Sequence, residues 1–320
     1  MTTRSQVLDA LRAAGANGLS GETLATRLGV SRVAISKHVS ALRDAGYAIT
    51  ASPGSGYRLI GAPDLALPAE VWPLVRSGFW TALSGGGETG STNDDARALA
   101  GAGAPEGSAV LASRQLAGRG RLGRSWESPD GGVYLSVVLR PSMAPAEVAS
   151  LALAVSLGVV RGLERLGAAP RLKWPNDVLL GEGKLAGVLL EMSAESDSVD
   201  WVVAGVGLNA RRPSNGQAPP AAAYLEDAVP GVRLATAAAA ELDGIAEAYA
   251  EWRDGGFAAL RAAYDERFAL FGRDVRVSDL LGNVRAQGSV VGVDDGGALL
   301  VRGADGRTQA VVAGEVTLRA

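Results

Sequence analysis

The sequence predicts a multidomain α+β protein in three parts: an N-terminal winged helix-turn-helix, a central mixed α/β domain of catalytic size, and a small C-terminal all-β barrel. Three observations predict it. Within residues 1–60, two serine-capped helical patterns separated by Gly29 precede two β-prone segments. From about Trp80 to Phe271, β-rich runs (AVLAS, VYLSVVL, WVVAGVGL) alternate with amphipathic helices. After Gly272 the chain changes to short strands separated by Gly and Asp turns, among them RDVRVSD, GALLVRG and TQAVVAGEVTLR.

Each element has a local reason. Residues 4–15 place Val7, Leu8 and Leu11 at helical spacing, with Gly15 as a stop. Ser20 caps a helix through Leu28, Gly29 turns the chain, and Ser31 caps another running through Val33, Ile35, Val39 and Leu42 to Gly46. The two pieces of YAITASPGSGYRLI flank Pro53-Gly54-Ser55-Gly56 and read as a hairpin, the wing, which completes a domain at 1–62. Residues 61–75 hold three prolines and little periodicity, so a linker is expected at 63–79. The central domain then spans 80–271, with its clearest helix at 145–166, and the barrel spans 272–320. There are no internal repeats, and the AAAA at 237–240 lies in an ordinary helical pattern.

Composition narrows the chemistry. At 320 residues, 47% apolar and 20% charged, the chain has ordinary globular usage and room for two or three domains, which excludes wholesale disorder and a fibrous repeat. No cysteine is present, so disulfide frameworks, thiolate nucleophiles and cysteine-based metal sites are excluded. With His38 as the single histidine, a Ser-His-Asp triad and a multi-histidine metal site are excluded as well. Catalysis must rest on carboxylates, Lys, Arg and backbone dipoles. The start MTTRSQVLDALRAAG carries charges where a signal peptide needs an apolar stretch, and no run reaches the ~18 apolar residues of a membrane span, so a cytoplasmic protein without a membrane partner is expected. Net charge is −3, but residues 1–60 hold seven Lys/Arg against three Asp/Glu, leaving −7 on the rest. A basic head on an acidic body suggests that the head alone meets a polyanion.

Three segments carry chemistry. QLAGRGRLGRSW, residues 115–126, interleaves Gly118, Gly120 and Gly123 with Arg119, Arg121 and Arg124. The glycines admit close backbone approach and the arginines supply forked positive donors, a combination suited to a phosphate or acyl phosphate. The spacing is not that of a P-loop, and GRGRLG does not open a helix as a Rossmann fingerprint must. A solvated basic loop or an RGG-like nucleic-acid segment has the same composition. In RLKWPNDVLLGEGKLAGVLLEM, residues 171–192, a Pro175-Asn176-Asp177 turn leads into a hairpin, so that Lys173, Asn176, Asp177 and Lys184 converge on one sheet end, or simply decorate an ordinary hairpin. GVGLN ends a buried strand in small residues and Asn209, which a structural turn would also explain.

In order and spacing these segments, together with SGETLATRLGVSRVAISKHVSALRDAG and its PGSGYRL wing, ETGSTNDDA, and a terminal GEVTLR, resemble the biotin protein ligases over nearly the whole chain, in the two-function form that also represses the biotin operon. The resemblance implies a class II synthetase-like central domain and an SH3-like barrel at the C-terminus. It implies that biotin and ATP, with Mg²⁺, form biotinyl-5′-AMP and pyrophosphate, and that biotin then passes to a lysine of the biotin carboxyl carrier protein of acetyl-CoA carboxylase. Such chemistry is largely electrostatic and needs no enzyme nucleophile, in keeping with the residues at hand. Carried over by position, Ser91, Thr92, Asn93, Gln115 and Gly187 fall on the biotin side, although Thr92 and Asn93 also suit a turn or helix cap. Arg119, Gly120 and Arg121 fall on the segment that folds over biotin and phosphate, with Arg121 foremost in holding the adenylate and Arg124 beside it on the nucleotide side. Trp126 packs on the biotin tail, anchors the loop, or sits in the core. Lys184 meets the biotin carboxyl or phosphoryl oxygen; Lys173, Asn176 and Asp177 lie beside the adenylate, where Asp177 deprotonates or positions the incoming amine and is the one protein group placed to influence Mg²⁺. Asn209 and Tyr224 fall on the adenosine side, with a disordered loop that orders over adenine at 211–223.

For operator DNA, Ser31, Arg32, Ser36, Lys37 and His38 lie on or before the second helix of the motif, and Arg58 lies on the wing; His38 suits a structural role equally well. Ser55 stands in the wing where a basic residue often sits. The resemblance also implies a homodimer favoured by bound biotinyl-5′-AMP. Two other functions compete: a DNA-binding regulator that senses a ligand without catalysis, and a lipoate-type ligase.

Overall fold

A computed structural model of the chain describes residues 3–52, 55–195, 197–216, 218–219, 221–279 and 281–318. They fall into two compact units, Met1–Leu65 and Ala66–Ala320.

The first unit holds α1 (Thr3–Ala14), α2 (Gly21–Leu28), α3 (Arg32–Asp44) and the antiparallel pair β1 (Ala48–Ser52) and β2 (Gly56–Gly61). Local chemistry sets the helix ends. The Ser20 hydroxyl accepts from the Thr23 amide at 2.9 Å, and the Ser31 hydroxyl accepts from the Ala34 amide at 3.1 Å. Between them Gly29 adopts φ 66° and returns its amide to the last carbonyls of α2. Val7, Leu8, Leu11, Leu24, Ile35, Val39 and Leu42 bury one stripe of each helix in a common core. The wing pairs Thr50 with Arg58 and Ser52 with Gly56; its expected turn residues Pro53 and Gly54 lie outside the described residues. A mutual pair of backbone hydrogen bonds between Leu19 and Tyr57 ties the wing to the start of α2, and a Cβ on Gly56 would fall 2.2 Å from the Leu19 carbonyl oxygen.

The second unit is built on a seven-stranded sheet in the order β3-β5-β7-β11-β10-β9-β8. These are β3 (Ala82–Gly85), β5 (Ser108–Ala112), β7 (Val133–Leu139), β8 (Arg171–Lys173), β9 (Asp177–Leu180), β10 (Gly183–Ala194) and β11 (Val199–Leu208). Only β3 and β5 run parallel. The small pair β4 (Glu88–Thr89) and β6 (Arg114–Gln115) lies apart from it. Every residue of β7 is buried, so both sheet faces must be covered. Helix α5 (Thr92–Gly101) covers one, packing Ala96 and Ala100 on Val110, Val138 and Val203. Helices α6 (Leu151–Glu164) and α7 (Leu234–Arg267) pack on each other and on the sheet. Their crossing is close because it is lined with glycine: a Cβ on Gly244 would sit 2.1 Å from the Gly158 carbonyl oxygen, and one on Gly162 would sit 2.1 Å from that of Ala240.

Residues 66–79 do not behave as the linker their prolines suggest. Pro68 opens a short helix, α4 (Pro68–Val71), and Ala66 and Val71 are fully buried. Asp243 of α7 accepts the amides of Arg76 and Ser77, both at 2.9 Å. The prolines here fix helix starts rather than an extended spacer.

The last five strands, β12 (Asp274–Ser278), β13 (Val284–Val293), β14 (Leu299–Arg302), β15 (Thr308–Val311) and β16 (Glu315–Leu318), form an antiparallel sheet in the order β15-β14-β13-β12-β16. Its four-residue edges β15 and β16 do not pair with each other, so strand pairing stops short of the closed barrel expected. The buried Trp174 indole donates to the Gly297 carbonyl at 2.9 Å, linking the β8–β9 turn to the β13–β14 turn.

Glu241 of α7 is fully buried and neither carboxylate oxygen has a hydrogen-bond partner. Desolvation raises its pKa well above the usual carboxylate range, so the folded chain holds it protonated where the unfolded chain does not. The stability this group contributes is complete below the unfolded carboxylate range and is lost as pH rises towards the folded value, at about 1.4 kcal/mol per pH unit. Glu241→Gln is therefore expected to raise the thermal midpoint, and by a margin that widens as pH rises through the range above the ordinary carboxylate values. A constant margin across that range contradicts a buried neutral acid.

Candidate active site

A cavity of about 350 Å³ opens where α5 begins, β10 begins and β11 ends, beneath the 115–126 loop and beside β16. Most residues singled out in the sequence line it. From the ETGSTNDDA segment come Ser91, Thr92 and Asn93; from the loop come Gln115, Arg119, Gly120, Arg121, Arg124 and Trp126; from the hairpin come Lys173, Asn176, Asp177, Lys184 and Gly187.

One end is a continuous polar network. Ser91 caps α5 through its backbone and makes no side-chain cap bond; Thr92 and Asn93, in the first turn of α5, line the cavity. Gln115 Oε1 accepts from the Thr92 amide at 2.8 Å and its hydroxyl at 3.0 Å, while Gln115 Nε2 donates to Ser128 Oγ at 2.8 Å. Ser136, at the fully buried centre of β7, lies 2.8 Å from Thr92 Oγ1 and 2.6 Å from Asn93 Oδ1. Asn93 Nδ2 donates to Glu191 Oε2 at 2.8 Å, and Arg119 Nη2 donates to the same oxygen at 2.7 Å.

The floor is glycine. Gly187 of β10 faces Gly207 of β11 across the ladder, and Gly205 lies opposite Leu189. A Cβ at Gly207 would fall 2.4 Å from Trp126 Nε1, and one at Gly205 would fall 1.9 Å from Asn93 Oδ1, so side chains from above approach the strands directly. Trp126 thus sits over the cavity floor, not in the core; its Nε1 is buried without a partner, and Lys184 Nζ lies 5.0 Å from its ring centroid.

The other end is cationic. Lys184 Nζ pairs with Asp177 Oδ1 at 2.6 Å and Lys173 Nζ stands 4.0 Å from Asp177 Oδ2. Arg124 pairs with Glu315 of β16 at 2.6 Å, and Arg119 is shared between Glu191 and Asp94, each at 2.7 Å. Arg121 differs: it donates to Asn176 Oδ1 at 3.1 Å and, among the described residues, has no carboxylate within ion-pair distance. Burial lowers its pKa, Asp177 and Glu315 oppose that from further off, and Arg124 adds to it. It is a desolvated cation in want of an anion. The loop's 3-10 turn, Arg121–Gly123, holds exposed Leu122 at φ 64° and opens no α-helix, so the Gly-x-Gly spacing has no Rossmann context.

Two expected residues lie elsewhere. Asn209 is buried and donates its backbone N–H to the Leu185 carbonyl at 2.9 Å and its Nδ2 to the Lys184 carbonyl at 3.0 Å, which positions Lys184 rather than lining the cavity. Tyr224 is also buried, its hydroxyl unpartnered, and the Arg212 guanidinium covers its ring at 4.9 Å, where adenine was expected. Arg212 is held there by Asp227 at 2.7 Å and Glu226 at 3.2 Å. Within the loop expected at 211–223, Ala221 and Ala223 hydrogen-bond the Lys184 backbone; Gln217 and Pro220 lie outside the described residues. The sequence reading missed Ser128, Ser136, Glu191, Gly205 and Glu315. Of these, Ser136 and Glu191 left a signal: each is a polar residue inside an apolar strand run.

In the first unit, Arg32, Ser36, Lys37 and Arg58 are exposed and His38 is half-buried, while a groove between α3 and the wing is lined by Arg32, Val33, Ser36, Ser52 and Tyr57. Ser31 is also exposed, but its hydroxyl is committed to the helix cap. Among the described residues no cluster of three His, Cys, Asp or Glu could hold a metal, and no helix is long and apolar enough to cross a membrane.

Known proteins match the same layout. The biotin/lipoate A/B protein ligase family matches residues 89–209, a helix-turn-helix domain family matches 3–58, and the biotin protein ligase C-terminal domain family matches 270–319. The chain is similar to the bifunctional ligase/repressor BirA of Bacillus subtilis, at 32% identity covering 95% of each chain, and to BirA of Escherichia coli, at 32% identity covering 94% of this chain and 92% of that one. It is 40% identical to the biotin–[acetyl-CoA-carboxylase] ligase of Paracoccus denitrificans over 71% of this chain and 97% of that protein. A biotin protein ligase from Aquifex aeolicus, solved with biotin and ATP, superposes with a TM-score of 0.64 at 28% identity, covering 75% of this chain and 99% of that one.

Proposed function

The chain belongs to the biotin protein ligase family, and on that premise we propose that it makes biotinyl-5′-AMP from biotin and ATP, transfers biotin to a lysine of the biotin carboxyl carrier protein, and represses biotin-synthesis genes as a DNA-binding protein. The observation that carries the ligase reading is the polarity of the cavity. One end is a neutral hydrogen-bonding network in which Arg119 is already paired, suited to an uncharged ureido ring. The other ends on Arg121, a desolvated cation without a carboxylate, suited to a phosphoryl group. A glycine floor beneath Trp126 joins them and admits a flat, apolar body.

In this reading a carboxylate oxygen of biotin attacks the α-phosphorus of ATP and the bond to pyrophosphate breaks. Attack of one anion on another is opposed by repulsion, which Arg121 and Lys184 offset by facing the developing charge. The carrier lysine then attacks the carbonyl carbon of the mixed anhydride and AMP leaves. Asp177 Oδ1 is occupied by Lys184, so Oδ2, 4.0 Å from Lys173 Nζ, is the oxygen left to receive the incoming amine; Asp177 acts by holding Lys184 and orienting that amine. Ser91, Thr92, Asn93, Gln115, Gly187 and Trp126 hold biotin, and Arg124 and Asn176 serve the nucleotide side by placing the Arg121 segment. These residues alone make no Mg²⁺ site, since the described chain has no ligand cluster and Asp177 is paired; the nucleotide's own phosphates must supply most of the coordination.

The relatives named ligase/repressor and the match of residues 3–58 to a helix-turn-helix domain support operator DNA as a partner, contacted by Arg32, Ser36, Lys37 and Arg58. We extend the reading to a cytoplasmic homodimer favoured by bound biotinyl-5′-AMP. Biotin-dependent exchange of labelled pyrophosphate into ATP tests the first half-reaction. Exchange with biotin and none with lipoate is expected; exchange with lipoate alone would make the chain a lipoate-type ligase.

A further inference from the structure

Glu191 stands in the last third of β10 in the otherwise apolar run VLLEM, opposite Val203 of β11, with its side chain 24% exposed. A carboxylate on a half-buried strand position costs desolvation that nothing in the sheet repays. Its partners explain it. Oε2 accepts from both Asn93 Nδ2, at 2.8 Å, and Arg119 Nη2, at 2.7 Å; Oε1 lies 3.5 Å from Arg97. It is the far end of the network that runs from Ser128 through Gln115, Thr92, Ser136 and Asn93, and the point where that network meets the glycine-arginine loop.

Resting on the ligase reading above, we propose that Glu191 is a positioning residue that sets biotin affinity, by fixing the orientation of the Asn93 amide and by holding the Arg119 charge at the biotin end of the cavity. An amide presents a donor on one side and an acceptor on the other, with nearly the same shape either way round. Ser136 Oγ lies against Asn93 Oδ1 and so does not by itself decide the orientation, because a hydroxyl donates or accepts equally well. Glu191 does decide it, because a carboxylate only accepts and so demands the Nδ2 side. For Arg119 the effect is electrostatic. Shared between Glu191 and Asp94, its charge is largely neutralised, which keeps the ureido end from competing with the Arg121 end for phosphate. The Asp94 carboxylate is 55% exposed and screened by water, so Glu191 is the more effective of the two partners.

The test is steady-state pyrophosphate release by the full chain with a saturating carrier domain as acceptor and with biotin and ATP varied separately, together with calorimetric binding of biotin alone. Glu191→Ala is expected to raise the biotin KM and Kd by about 10- to 100-fold, with the ATP KM and the kcat at saturation within about threefold of wild type. Glu191→Gln keeps an acceptor but loses the charge, and its biotin KM is expected to fall between, about 5-fold above wild type. Asp94→Asn is expected to change it by less than about threefold. The proposal is overturned by a biotin KM within about twofold of wild type in Glu191→Ala, by biotin and ATP constants that rise together, or by a Glu191→Gln chain equal to wild type. Should Glu191→Ala not fold, the isosteric Glu191→Gln decides alone. Failure of the ligase reading would look different: wild-type chain that releases no pyrophosphate with biotin.

Discussion

Arg121→Ala lowers the rate of biotin-dependent pyrophosphate release by about 100- to 1,000-fold, while the thermal midpoint stays within about 2 °C of wild type. Both halves follow from how the cations of the cavity are partnered. Arg119, Arg124, Lys173 and Lys184 each face a carboxylate, so each meets a substrate anion with its charge partly offset. Among the described residues, Arg121 alone of these cations is engaged only by an amide oxygen, that of Asn176. Its burial is unfavourable for an unpaired charge and is relieved by a phosphoryl group, the differential interaction that accelerates a step instead of only tightening binding. Removing it leaves Asn176 Oδ1 open to the cavity and touches no core residue, so stability changes little. Arg121→Lys restores charge without the forked donors and is expected to recover about one order of magnitude of the loss. Pyrophosphate release in Arg121→Ala within about fivefold of wild type would remove Arg121 from the mechanism.

The largest effect on stability is expected at Gly244. Its α-carbon faces α6 so closely that a Cβ would lie 2.1 Å from the Gly158 carbonyl oxygen and 2.9 Å from the Gly162 amide nitrogen. Both obstacles are backbone of a neighbouring helix and cannot rotate away. Gly244→Ala must therefore force α6 and α7 apart, opening gaps between helices that carry fully buried Leu157, Val160, Leu242 and Ile245. The expected cost is about 3 kcal/mol or more, a fall of about 6–12 °C in the midpoint for a unit of this size. The helices carry no cavity-lining residue, so enzyme that remains folded at low temperature is expected to keep its biotin and ATP KM values. A midpoint within about 2 °C of wild type would mean that the crossing has slack the geometry does not show.

What the sequence revealed and what it withheld divide by range. The caps at Ser20 and Ser31 and the left-handed Gly29 were legible because each is satisfied by amides within a few residues. The cavity lining was legible as motifs, since glycines and arginines at close spacing bring backbone and charge together whatever the surrounding fold. Proline content misled at 66–79, because Asp243, more than 160 residues away in the chain, accepts the amides of Arg76 and Ser77 and draws that stretch into the fold. Tyr224 looked available to adenine in the sequence, yet tertiary packing buries it and Arg212 takes its face. Glu191 and Ser136 were visible only as polar interruptions in apolar strands; their meaning depends on Asn93, which reaches them from a helix on the other side of the network. Barrel closure was the least legible, since it depends on whether two short edge strands meet, which local propensity does not determine.

Mass spectrometry of a purified biotin carboxyl carrier domain, incubated with the full chain, biotin, ATP and Mg²⁺, tests most directly whether the polarised cavity joins biotin to a protein lysine. The carrier is expected to gain the mass of one biotinyl group in place of one lysine proton, and the gain to disappear with Arg121→Ala or when the acceptor lysine is replaced by arginine. A carrier that stays unmodified while the chain binds biotin would contradict the ligase reading, and would make the cavity that of a ligand sensor coupled to DNA binding.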